Sequence, residues 1–150
     1  MTVSTMAINS GIKAVVAAAT GIERSYDYDE LPEAINNGDT PAVAVYWDSM
    51  VMDPTGETDR SSYSAGIRQV DMIFNIDLYA SQRNHLGENN QAVVETMDAL
   101  LTALQTQSTH PPFDVDGVQS FKIMSAQRVT HDYGGAKFPG VRIVLAVRVF

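Results

Sequence analysis

Three histidines, His85, His110 and His131, are the side chains here most suited to proton transfer or metal ligation. They fall in three separate segments, and none has a second histidine at the helical spacing of a zinc-ligand pair, so each reads as a surface residue. Two acidic runs, Asp27, Asp29, Glu30 and Asp53, Glu57, Asp59, offer hard oxygen ligands. Neither has the glycine-centred twelve-residue frame of a calcium loop, and both read as solvated loops. Gly134-Gly135-Ala136-Lys137 is only superficially a phosphate loop: no Lys-Ser or Lys-Thr follows, and no helix whose N-terminus would hold a phosphate. It reads as a hairpin turn. No serine sits in Gly-x-Ser-x-Gly, the strained elbow of an esterase. Tyr46, Trp47 and Phe74 could stack bases, but basic residues are sparse around them, and core or interface packing is the favoured reading. The expectation is therefore no catalytic residue, no cofactor and no metal.

The elements that carry these residues follow from hydrophobic spacing. Ile8, Ile12, Val15, Val16 and Ala19 lie at i, i+4, i+7, i+8 and i+11, one stripe of a helix over Met6–Ala19. Ser4 or Thr5 can cap its start, and Gly21 suits a left-handed stop. Val93, Met97, Leu100, Leu101 and Leu104 repeat that spacing in a second helix over Glu88–Gln105. The sequence predicts strands over 22–28, 42–52, 67–79, 118–133 and 138–150. In the third, Val70, Met72, Phe74, Ile76 and Leu78 alternate with Gln69, Asp71, Asn75 and Asp77; in the last, Val141, Ile143, Leu145, Val147 and Val149 alternate with a face carrying Arg142 and Arg148. Alternation weakens near Ser125, where a bend is expected. The polar connections 29–41 and 53–66 read as loops.

The order is α-β-β-β-α-β-β. Strands in runs with two helices imply an α+β fold, a mostly antiparallel sheet with both helices on one face and long β-hairpins. The 150 residues suggest a single domain, long enough to bury roughly 70% of its unfolded surface. With 45% hydrophobic residues the chain is not of disordered composition. The absence of cysteine excludes disulfides and thiolate chemistry. No secretory leader is expected, since no basic region followed by an apolar run opens the chain. The longest apolar run, Ala14–Ala19, is too short for a membrane span. A formal net charge of −8 disfavours attraction to nucleic-acid phosphates.

Four stretches carry a family resemblance: AINSGIKAVVAAATG; TPAVAVYWD after an acidic, proline-containing loop; IDLYASQRNHLGENNQAVVETMDALLTAL; and YGGAKFPGVRIVLAVRVF. In pattern and order, over nearly the whole chain, the sequence resembles the tail terminator (tail completion) proteins of long-tailed bacteriophages. The resemblance implies a structural virion protein and not an enzyme: a small domain forming a ring, usually a hexamer, of identical subunits in the neck. Such a ring caps the head-proximal end of the tail tube, stops tube polymerisation and meets the head-completion or connector protein. It is assembled in the host cytoplasm and has no membrane partner. DNA passes through its lumen without specific binding. The resemblance transfers no functional residue. The candidate assembly residues, Asp53, Glu57, Asp59 and Arg60, come instead from the long polar hairpin loop, which could reach a neighbour or the channel. Two alternatives fit the same features: another neck or head-completion adaptor ring, and a small-ligand-binding or enzymatic α+β domain.

Overall fold

The computed structural model describes residues 4–27, 32, 35, 40–51, 70–80, 86–107 and 110–149, with backbone alone at 86–90. Helix α1 spans Thr5–Ala17 and starts where Ser4 Oγ accepts the Ala7 N–H at 3.2 Å, which settles the cap in favour of Ser4 over Thr5. Strand β1 is Arg24–Tyr26, β2 Ala42–Val51 and β3 Val70–Tyr79. Helix α2 spans Leu86–Gln105, beginning two residues before the expected start. A 3₁₀ turn at Pro112–Asp114 leads into β4, Val118–Tyr133, and β5, Ala136–Val149, completes the order.

The sheet is ordered β1-β2-β3-β5-β4. β1 runs parallel to β2, and every other pair is antiparallel. The class is α+β, as the run of strands between and after the two helices requires. β5 lies between β3 and β4, which explains why its apolar face is buried residue by residue from Val141 to Val149.

Both helices pack on one face of this sheet. Ile8, Ile12 and Val16 of α1 and Val93, Leu100 and Leu104 of α2 join Val43, Val45, Phe74, Ile76, Leu78, Ile143 and Leu145 in one apolar cluster. Two matched single stripes thus share one sheet face, because neither helix can bury its stripe against solvent. Among the described residues no helix is long and apolar enough to cross a membrane.

Local chemistry sets the turns and irregularities. Tyr133 pairs with Ala136 across Gly134 and Gly135, whose φ angles of +59° and +82° fit a two-residue hairpin turn matched to the strand twist. The register of β4 on β5 shifts between Ile123 and Ser125, so the expected bend is a β-bulge at Met124; a second shift lies between Val118 and Ser120. β2 carries its own bulge between Trp47 and Ser49. Gly140 allows a close approach of β3, since a Cβ there would stand 1.8 Å from the Leu78 carbonyl oxygen.

The burial of the α2 stripe is uneven: Leu100 is fully buried, whereas Leu101 only borders the core. Leu100→Ala should cost about 2–5 kcal/mol in denaturant unfolding. Leu101→Ala should cost clearly less. Equal losses would show that both side chains are equally enclosed.

Candidate functional site

On the sheet face away from the helices, alternation places Asp71, Asn75 and Asp77 of β3 beside Arg142 and Arg148 of β5. The register sets Asp77 directly opposite Arg142 and Asp71 directly opposite Arg148. Asp77 is 2% exposed and accepts from Arg142 Nε at 2.8 Å and Nη2 at 3.1 Å, a forked ion pair. The Tyr46 hydroxyl donates to the same carboxylate at 2.8 Å and accepts from Arg142 Nη2 at 3.1 Å. Asn75 Nδ2 stands 3.5 Å from Tyr46 Oη and from Asp48 Oδ1. Arg148 Nε makes the second pair with Asp71 at 2.9 Å, nearer solvent.

His131 reaches this cluster from β4. The surface position expected of it is corrected here: its ring is 6% exposed, with Nδ1 4.0 Å from Asp77 and Nε2 3.3 Å from the Val141 carbonyl oxygen. Tyr79 packs against it at 4.5 Å between ring centroids and meets Tyr133 and Phe138 edge-on. The reason is geometric. β4 is at the sheet's edge, but its last turn before the hairpin lies over an apolar patch of Ile35, Ala42, Ala44, Tyr79 and Phe138. A shallow cavity of about 420 Å³ opens here, lined by Tyr46, Asp77, Tyr79, His131, Tyr133 and Arg142 among others.

Electrostatics make this cluster a lock. The hydrogen bond to Asp77 holds the Arg142 guanidinium above its usual value. Burial, and then the Asp77 hydrogen bond, raises the Tyr46 hydroxyl; burial, and then the Asp77 charge, raises Tyr79. Both phenols stay protonated at neutral pH, and the three hydrogen bonds accepted by Asp77 occupy its carboxylate. What this geometry does chemically is fasten three strands together with a charge-assisted network.

The remaining sequence candidates separate. Asp53, Glu57, Asp59 and Arg60 lie outside the described residues, as do Asp29, Glu30 and His85. Asp27 ties β1 to α1, accepting from Asn9 Nδ2 and Ser10 Oγ at 2.5 Å each. Among the described residues no group of three or more His, Asp or Glu side chains is placed to hold a metal ion. The aromatic trio is split by the sheet. Phe74 is in the core, Tyr46 on the opposite face, and Trp47 40% exposed at the edge of the helix face. There Trp47, Met50, Thr5, Met6 and Asn9 line an open cleft of about 440 Å³.

The Asp–Arg lock was not among the expected features, yet the sequence carries a signal for it. Asp71 and Asp77 are six residues apart, and so are Arg142 and Arg148; only one antiparallel register pairs both at once. His131 carried no comparable signal.

Arg142→Met should destabilise by roughly 3 kcal/mol, because it strands a buried carboxylate. Arg148→Met should cost much less, since Asp71 is only partly buried whereas Asp77 is almost wholly enclosed. Asp77→Leu combined with Arg142→Met should recover most of the loss in denaturant melts; a double variant as weak as Arg142→Met alone would mean that packing, and not the stranded charge, sets the cost. Compared with known proteins, the sequence matches no family model and no curated protein.

Proposed function

We propose that this chain is a tail-terminator subunit of a long-tailed bacteriophage, a structural virion protein that closes into a ring on the head-proximal end of the tail tube. The observation that carries this reading is the disposition of the sheet. Two long antiparallel hairpins, β2–β3 and β4–β5, make most of a small domain, and the sheet ends in a sixteen-residue edge strand, β4. Long unpaired edges on a small domain are templates for another strand, and copies of one chain joined head to tail close into a ring. In this role the ring ends tube growth and presents a surface to the head connector, and the −8 charge of each copy lets duplex DNA pass without adhesion.

Imaging tests this directly. Electron micrographs of tails assembled with the protein should show a ring of uniform diameter at the head-proximal end. Phage lacking the protein should carry tails of irregular, excess length. Normal tails in its absence would end the reading. The purified protein should show no salt-sensitive binding to duplex DNA at physiological ionic strength; tight, salt-steep binding would contradict a lumen that lets DNA slide.

A further inference from the structure

The outer side of β2 is only half covered. β1 pairs with Ala42–Ala44, and Asn9 Nδ2 donates to the Val45 carbonyl at 3.0 Å. Among the described residues no strand pairs with that side from Tyr46 to Val51. The open cleft lies along this half: Thr5, Met6 and Asn9 of α1 line it together with Trp47 and Met50 of β2. Exposed apolar side chains gather at the same place. Among the described residues five large hydrophobic side chains are exposed, and three of them, Met6 at 58%, Val51 at 44% and Trp47 at 40%, belong to the start of α1 or to this half of β2. Such a concentration at one strand edge marks a contact surface.

The cleft also holds an unused acceptor. Asn9 is 1% exposed. Its Nδ2 is spent on Asp27 and the Val45 carbonyl, which fixes the carboxamide and leaves Oδ1 buried with no donor among the described residues. A buried acceptor in that state is rare, and it favours a guest that brings a donor. The walls state the rest of the guest's chemistry. The Trp47 ring and the thioethers of Met6 and Met50 favour an aromatic ring, and about 440 Å³ admits one. The strand edge offers its backbone groups to an extended chain.

Charge narrows the choice further. Asp48 is exposed on the same half of β2 and lies on the face away from the helices, where its Oδ1 stands 3.5 Å from Asn75 Nδ2. Thr5–Ser10 and Tyr46–Val51 carry no other charge, and the whole chain carries −8. We propose that this edge of β2 binds an extended segment of a partner protein, in which an aromatic residue bearing an N–H or O–H donor fills the Trp47 cleft and an adjacent basic residue meets Asp48. The ring's N–H or O–H donates to Asn9 Oδ1. Strand alternation fits both contacts, since a ring directed to the helix face has its chain neighbours on the opposite face, where Asp48 lies. A segment of about five residues fits beside Tyr46–Val51, clear of the Ala42–Ala44 stretch that β1 occupies. The inference goes beyond the ring reading and does not rest on it, because it needs only one copy of the chain.

The test uses the whole chain, isotope-labelled for amide NMR, and the blocked peptide Thr-Lys-Trp-Lys-Thr. Trp47 is the chain's one tryptophan, so its indole N–H gives a single resonance at the cleft. Titration should shift that resonance, the Asn9 side-chain amide and the backbone amides of 46–51 together. The same peptide with its indole nitrogen methylated should bind at least about fivefold more weakly, because Asn9 Oδ1 then stays buried and unpaired. Equal affinity would overturn the donor contact. Replacing both lysines of the peptide by glutamate should weaken binding, most at low salt; an unchanged affinity would overturn the charge assignment. Met6→Ser should weaken the peptide without altering denaturant unfolding, since that side chain is exposed. Unaltered binding by this variant would remove the cleft as the seat of the ring. Free indole binding as tightly as the peptide would overturn the extended partner in favour of a small aromatic molecule. No shift of the Trp47 resonance at the solubility limit of the peptide would overturn the proposal as a whole.

Discussion

The register of β3 on β5 is the constraint on which the rest of the structure depends. These two strands form the middle of the sheet, and a slip of one residue would exchange Phe74, Ile76 and Leu78 for Asn75 and Asp77 on the helix face. Two forces hold the register. The apolar residues of both strands must meet the helices together, and the two aspartates must each meet an arginine on the other face. Asp77 is buried, and Arg142 and Tyr46 together satisfy its carboxylate. The apolar alternation admits several even-numbered slips, whereas the two Asp–Arg pairs, with matched spacings of six, admit one.

From this registered centre the two faces diverge. The helix face is a continuous apolar core that both helices need in order to bury their stripes. The other face is divided. One end is polar, built on the Asp77 network, and the other is a small aromatic patch where Tyr79 gathers His131, Tyr133 and Phe138. Tyr133 also donates from its hydroxyl to the Pro32 carbonyl, tying the end of β4 to the segment before β2. Polar groups on this face are consumed by one another.

The edges combine exposure with restraint. Bulges, a lysine and an arginine are the devices by which a long edge strand avoids indiscriminate pairing, and β4 has all three. The bulge at Met124 also pushes one apolar side chain outward. An edge of this kind discourages self-pairing.

The sequence by itself determined the element order, the α+β class, the buried faces of β3, β5 and both helices, and the irregularity near Ser125. Each of these is local: periodicity of two or 3.6 is written in neighbouring residues, and turns such as Gly134-Gly135 are set by backbone freedom at the position itself. Tertiary structure alone decided which strands are neighbours. The β1-β2-β3-β5-β4 order places the final strand inside the sheet and β4 at its rim, and no local pattern states that. It also decided the fate of single residues. His131 is buried because an aromatic patch assembled from four distant segments covers it. Trp47 is exposed where it lines an open cleft with Thr5 and Met6 of α1 and Met50 of its own strand. Asp77 and Arg142, 65 residues apart, meet because a register joins them. Burial and pairing of this kind are sums over residues remote in the chain, so they come into being only when the chain has folded.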